Sequence, residues 1–199
     1  YAVPDATGRR THVVSVLIDI THAKLHEVLQ RPALEAMARE QPLAEVLDLV
    51  CREVERIAPE VTTSILGVDD QGRVHPLAGP SLPKDFARLL DGLPIGPAAG
   101  SCGTAAWRNA PVQVDDIATD PLWADYRDLV LPLGLCGCWS TPIRNSEGRA
   151  VGTFAFYYRA PRSAAASAFH QQIVDACTHV CALALERENA RLRIHRMAF

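Results

Sequence analysis

The stretch from Gly100 to Tyr158 most constrains the fold of this chain. It opens Gly100-Ser101-Cys102-Gly103-Thr104-Ala105-Ala106-Trp107, with glycine on both sides of a Ser-Cys pair. Glycine lets the backbone turn tightly and approach a neighbour closely. Ser101 or Thr104 is placed to cap a short helix running through Trp107. The first N–H groups of that helix would face a polar or anionic group. An apolar run follows, Pro111-Val112-Gln113-Val114, closed by Asp115 and Asp116, which suit the cap of the next turn. Then come a Trp-containing helix over Pro121 to Tyr126 and a strand over Leu135 to Ile143. A polar turn, Asn145-Ser146-Glu147-Gly148, leads to a second strand over Val151 to Tyr158. Two apolar runs joined by so short a polar turn read as a hairpin, hence an antiparallel sheet.

The flanking segments supply its cover. Leu43, Val46, Leu47, Val50, Val54 and Ile57 recur at helical spacing, which predicts an amphipathic helix to about Ala58. Thr62 to Val68 reads as a strand, Asp69 to Gly72 as a hairpin turn and Val74 to Ala78 as its partner. Residues 84–91 suggest a short helix, and 92–100 a Gly- and Pro-rich loop. A closing helix runs from about Ser163 past Glu188, with Phe169, Ile173, Val174, Cys177, Val180, Cys181, Ala184 and Leu185 as its buried stripe. The expected fold is α/β (α+β). A central antiparallel sheet carries the long helices on one face. Short helices and loops form a pocket on the other.

The ordered motifs Gly-Ser-Cys-Gly-Thr-Ala-Ala, Pro-Val-x-Val-x-Asp-Ile, Trp-Ser-x-Pro-Ile and Gly-x-x-x-Gly-Thr-Phe-Ala together resemble the GAF domain family, over about residues 40–188. The resemblance is nearest to the GAF modules of bacterial proteins that carry GGDEF (diguanylate cyclase) and EAL (cyclic di-GMP phosphodiesterase) domains. It implies a ligand pocket beneath the short-helix roof. Ser101, Cys102, Gly103, Thr104, Trp123, Tyr126, Cys138 and Trp139 are its candidate ligand-binding residues. The helix start would supply donors, and the amphipathic aromatics apolar area with a polar handle. GAF domains bind unrelated ligands, so the cofactor is left unknown.

The ends of the chain add context. Thr11 to Ile20 is rich in Val, Leu and Ile and reads as a strand, with Asp19-Ile20-Thr21 passing into a short helix carrying Leu25, Val28 and Leu29 on one side. This resembles the closing strand of a PAS domain with its exit helix, over residues 1–30. Residues 31–42 read as a linker punctuated by Pro32 and Pro42. Residues 43–188 form the GAF domain. Residues 189–199 resemble the connector into a GGDEF domain that the sequence does not contain. Leu185, Leu192 and Phe199 stand seven apart, a short coiled-coil seam or a solvated extension of the helix.

Several chemistries can be weighed on these residues. Cys136 and Cys138 fall on the same side of one strand, and Cys102 belongs at the mouth of the expected pocket. Three thiols could bind zinc or form a redox pair, or simply pack as small hydrophobes. Free methionine sulfoxide reductases are GAF-fold enzymes that share a Gly-x-Cys-Gly segment like that at Cys102. Their Gly-His-Ile-x-Cys-Asp motif has no match here: the corresponding stretch runs Asp120-Pro121-Leu122-Trp123, then Leu133-Gly134-Leu135-Cys136. The Asn-Lys-x-Phe-Asp-Glu signature of cyclic-nucleotide-binding GAF domains is missing, as is the Cys-His pair of bilin attachment sites. His75, His170 and His179 are candidate axial ligands for a haem. No Ser-His-Asp set, phosphate-binding glycine loop or paired-carboxylate site emerges. No catalytic or metal-ligating residue is assigned.

Composition bounds the partners. The net charge of −3 gives no footprint for nucleic acid. No apolar run reaches the roughly 20 residues of a membrane span. Six cysteines without a regular framework fit a reducing cytoplasm. The chain opens as if cut from mid-protein, and no signal peptide is visible. The expectation is a cytoplasmic, non-catalytic sensor module, passing a small-molecule or redox signal to a cyclic di-GMP output domain. It would act as a homodimer through its terminal helices. The alternatives are a thiol redox enzyme of the reductase type and a dimerisation module with no ligand.

Overall fold

Strand β5 (Ala150–Tyr158) organises the molecule. The computed structural model describes residues 11–160 and 168–197. Along β5, Phe154, Phe156 and Tyr158 enter one core and Ala155 and Tyr157 another. This is the two-residue alternation of a strand. Both faces are apolar, so the strand belongs at the centre of the sheet. It pairs antiparallel with β1 (Val61–Val68) and β4 (Gly137–Arg144), and β2 (Val74–Ala78) and β3 (Val112–Val114) close the edges in the order β2-β1-β5-β4-β3. The expected α+β class is present, with the strands expected at 62–68, 74–78, 135–143 and 151–158 and a short fifth, β3, on the apolar run of 111–114. Register brings Thr62, Tyr157, Cys138 and Val114 into one row, and Ser64, Ala155, Ser140 and Val112 into the next.

One face is covered by three helices, α1 (Thr11–Ala38), α2 (Leu43–Ile57) and α6 (Ala168–Met197). In α2 the expected stripe is buried: Val46, Leu47, Val50 and Val54, joined by Cys51. Ile173, Val174, Cys177, Val180 and Cys181 of α6 interlock with it over Phe154, Phe156 and Trp139. The other face is roofed by α3 (Lys84–Leu90), α4 (Gly100–Arg108), α5 (Arg127–Val130) and two 3-10 turns, Pro121–Trp123 and Leu131–Leu133.

Two expectations at the N-terminus are corrected. Thr11 to Ile20 is helical, the first turns of α1, so the resemblance to a PAS strand has no strand to rest on. A lone strand would leave its backbone donors and acceptors unpaired, and a helix satisfies them within the segment. Residues 1–10 lie outside the described residues. Nor is 31–42 an open linker. Helix α1 continues through Pro32 to Ala38, and Leu29, Ala33, Ala36 and Met37 are buried in the helix layer. Packing against α2 and α6 outweighs the hydrogen bond that proline removes. The side chain of Gln30 adds a bond from Nε2 to the Ala176 carbonyl on α6, at 3.2 Å.

At the other end, Leu185 is buried but Leu192 is 42% exposed, and Phe199 lies outside the described residues. The expected start of the closing helix at Ser163 also falls outside them. Among the described residues, no helix is long and apolar enough to cross a membrane.

Candidate functional site

Helix α4 begins where the sequence placed a close approach. Gly100 sits at φ +61°, in the left-handed region, and the Trp123 ring lies 3.7 Å from where a Cβ on Gly100 would stand. A Cβ on Gly103 would come within 2.7 Å of the Ala99 Cβ. Two glycines thus let the loop fold tightly onto the helix start. The expected cap is corrected. The N-cap position is Ala99, and no side chain caps the helix. Thr104 Oγ1 instead accepts the Ala99 N–H at 3.0 Å, and Ser101 Oγ accepts the indole N–H of Trp123 at 3.0 Å.

Below α4 lies a buried polar cluster. Cys102 Sγ is 3.7 Å from Tyr157 Oη. The Cys138 thiol, on β4 opposite Tyr157 in register, faces the same core. The hydroxyls of Ser64, Ser140 and Thr153 are enclosed and have no hydrogen-bond partner. They stand on the same sheet face as Tyr157 and Cys138, by the alternation of β1, β4 and β5. The thiols divide in character. The neighbouring Cys138 thiol, and after it the dipoles of the surrounding hydroxyls, draw Cys102 down to about 7 against the burial that opposes them. Burial pushes Cys138 and Tyr157 well above their ordinary values. Cys51, Cys177 and Cys181, in the apolar helix layer, are all pushed up by burial, Cys51 to about 12.

The roof packs close to the sheet. Phe86 of α3 stands edge-on to Tyr157, ring centroids 6.0 Å apart. Two cavities remain. One, of about 30 Å³, is bounded by Gly100, Cys102, Trp123 and Tyr126, with Leu66 and Leu90 across from them. The other, of about 180 Å³, lies between α3 and β2 and is apolar but for Ser64.

Seven of the eight candidate residues therefore lie on one side of the sheet: Ser101, Cys102, Gly103 and Thr104 on α4, Trp123 and Tyr126 in the roof, and Cys138 on β4. Trp139 does not join them. It points the opposite way from Cys138, into the helix layer, edge-on to Phe156 at 5.8 Å. Cys136 is half-buried just before β4, its Sγ 4.0 Å from the Gly134 carbonyl. None of the three histidines lines either cavity. His75 is held between Asp91 and Asp69 at 2.7 and 2.9 Å. His170 is buried on α6 against Tyr158 and Phe156 and pairs with Glu60 at 2.8 Å, and His179 is exposed. Asp116 caps its turn by accepting the Ala118 N–H at 3.0 Å. Among the described residues, no group of three His, Cys, Asp or Glu is placed to hold a metal ion.

Sequence reasoning missed Tyr157, Phe86 and the hydroxyls of Ser64, Ser140 and Thr153. Their signal was available in part. Thr153, Ala155 and Tyr157 alternate with Phe154, Phe156 and Tyr158, so the smaller and more polar set marks the pocket face.

Comparison with known proteins agrees with this geometry. A GAF domain family model matches residues 40–186. A methyl sulfide methyltransferase-associated sensor of Methanosarcina acetivorans is 33% identical over 159 residues, 78% of this chain and 16% of its own length. The oxygen sensor protein DosP of Escherichia coli is 25% identical over 195 residues, 98% of this chain and 18% of its own length. The chain thus spans less than a fifth of either relative. Among solved structures, a free methionine-R-sulfoxide reductase from Neisseria meningitidis superposes with a TM-score of 0.61 at 15% identity, covering 86% of this chain and 93% of that one. At that identity the likeness speaks for the fold alone. With the antiparallel sheet, the helix layer and the glycine-flanked α4 all in place, the chain belongs to the GAF domain family.

Proposed function

We propose that this chain is the regulatory sensing module of a larger signalling protein, and that it passes a small-molecule or redox signal to a diguanylate cyclase or cyclic di-GMP phosphodiesterase output domain. The observation that carries the reading is the double role of β5. Tyr157 faces the α4 site, while its neighbours Phe156 and Tyr158 pack on α6, the Phe156 and His170 rings 5.3 Å apart. A ligand that moves Tyr157 or α4 must disturb the seat of α6. Such a change biases two packings of the terminal helices. Ser101, Cys102, Gly103, Thr104, Trp123, Tyr126 and Cys138 are the residues proposed to meet the signal.

The output assignment rests on the resemblance of Arg191 to Phe199 to a GGDEF connector, and both curated relatives are named as sensors. A homodimer through α1 and α6 fits the apolar side chains that α6 exposes toward its C-terminus: Leu183, Leu192, Ile194 and Met197 are 41% to 79% exposed.

The test uses the whole protein that carries this chain. Cyclic di-GMP synthesis or hydrolysis is expected, and Tyr157→Phe or Trp123→Phe is expected to change its rate at least about twofold. A whole protein that neither makes nor breaks cyclic di-GMP overturns the output assignment. Turnover of free methionine sulfoxide in a thioredoxin-coupled assay, lost in Cys102→Ser or Cys136→Ser, overturns the sensing reading in favour of a reductase. Light scattering that gives a monomer removes the dimer.

A further inference from the structure

Six cysteines are present, and the fold sorts them into unlike surroundings. Cys51, Cys177 and Cys181 sit in the apolar helix layer, where burial disfavours a thiolate. Cys102 and Cys138 face one core between α4 and β4: Cys102 Sγ is 3.7 Å from Tyr157 Oη, and Cys138 is the register partner of Tyr157 on the next strand, among the enclosed hydroxyls of Ser64, Ser140 and Thr153. Three buried hydroxyls without partners are costly in an apolar slab. Ser140 and Thr153 stand beside Cys102, where a thiolate would accept their protons, and Ser64 stands beside Tyr157. Tyr157 Oη, 3.7 Å from Cys102 Sγ, is a further donor. The cavity of about 30 Å³ that Cys102 borders has room for a molecule of a few heavy atoms.

We propose that Cys102 and Cys138 form an oxidisable dithiol that reacts with hydroperoxides to give an internal disulfide between α4 and β4. The Cys102 thiolate attacks one oxygen of the peroxide. The O–O bond breaks, hydroxide leaves, and Cys102 becomes a sulfenic acid. The Cys138 sulfur then attacks the Cys102 sulfur. The S–S bond forms, the S–O bond breaks, and hydroxide leaves as water with the Cys138 proton. In sum, two thiols and one hydrogen peroxide give one disulfide and two waters. The lowered pKa of Cys102 fits its part as the attacking group, and the protonated Cys138 its part as the resolving group. A bond here ties α4 to the strand next to β5, the strand on which α6 sits.

The proposal rests on the sensing reading only for its purpose, because its chemistry is read on this chain without any output domain. The purified chain is treated with a small excess of hydrogen peroxide under native conditions. It is then denatured, alkylated and mapped by mass spectrometry. Two of the six thiols are expected to escape alkylation, with a Cys102–Cys138 peptide that dithiothreitol dissolves. In Cys138→Ser, a dimedone adduct is expected on Cys102. In Cys102→Ser, neither product is expected. Alkylation of all six thiols, a bridge among other cysteines, or a bridge between two chains overturns the proposal. Mapping of the unsubstituted chain decides even if a variant fails to fold. A disulfide that forms but leaves cyclic di-GMP turnover unchanged in the whole protein counts against the sensing reading and not against the dithiol.

Discussion

Trp123 Nε1 donates a hydrogen bond to Ser101 Oγ at 3.0 Å, and both residues are buried. This one bond ties the 3-10 turn after β3 to the first turn of α4, over the positive-φ Gly100. Ser101→Ala would leave a buried indole N–H without an acceptor, at a cost of about 1–3 kcal/mol. Trp123→Phe removes the donor but also packing. In the double variant, the orphaned donor is gone, so the combined loss is expected to fall short of the sum by about 1 kcal/mol. Urea unfolding of the four proteins measures this coupling. Strict additivity would mean that the bond contributes nothing.

Cys138 and Trp139 are neighbours in β4 that serve opposite layers. Trp139→Ala empties a place beside Phe156 in the helix layer and is expected to cost about 3–5 kcal/mol. It should leave a cysteine-reactive probe at Cys102 unaffected wherever the protein stays folded. Cys138→Ala is expected to cost much less and to raise the pH at which Cys102 reacts, since the thiol that does most to lower the Cys102 pKa is lost. Iodoacetamide rates against pH, with urea unfolding alongside, check both halves. A slower or shifted Cys102 reaction in Trp139→Ala would put the tryptophan on the wrong face.

The same pair shows how far the sequence could be read. The alternation that gives each strand two faces was visible, and so were the strands, the α2 stripe and the α4 helix start. Which face Trp139 takes could not be settled by its aromatic character, which suits a pocket wall and a core equally. Its register against Phe156 decides, and that is a tertiary fact. The run Thr11 to Ile20 misled for a related reason. Val and Ile favour strands where a neighbouring strand exists, and here none does, so the helix wins locally. The hydroxyls of Ser64, Ser140 and Thr153 come from three strands and become a cluster only when those strands pair.

His75 of β2 joins the β1–β2 turn to the end of α3 through Asp69 and Asp91. Hydrogen bonds that His75 donates to Asp69 and then Asp91 raise the His75 pKa above its usual value, and the bond from His75 lowers that of Asp69. The raised histidine stabilises the fold fully below its unfolded pKa, about 6.5. That contribution is lost as pH rises through the higher folded value. The lowered aspartate acts above its unfolded pKa and loses its effect as pH falls through the folded one. The pair is therefore strongest in mildly acidic solution. His75→Gln is expected to lower the melting temperature at pH 5.5 by about 1–3 °C more than at pH 8.5, a small effect because the groups are exposed. An equal loss at both pH values, read by calorimetry, would show that the histidine is neutral throughout.

Pro32 stands inside α1, four residues after Val28, whose carbonyl it cannot bond. A proline in a helix interior costs about 3 kcal/mol relative to alanine. Around it, Leu29, Ala33, Ala36 and Met37 hold the helix down on α2 and α6, and Gln30 bonds the Ala176 carbonyl. The burial of a Leu or Met side chain is worth about 1.5–3 kcal/mol, so this stretch can carry the proline without breaking. If α1 is continuous as described, Pro32→Ala restores the missing bond and adds no clash. It is expected to raise stability by about 1–3 kcal/mol, part of the full cost being already relieved by local bending. At roughly 2–4 °C per kcal/mol, the melting temperature should rise by about 2–12 °C. If the chain instead turned at Pro32, as a linker would, alanine would loosen that turn and lower the melting temperature. The sign of one thermal shift thus separates a continuous helix, able to couple the N-terminal segment to α6, from two pieces joined at a hinge.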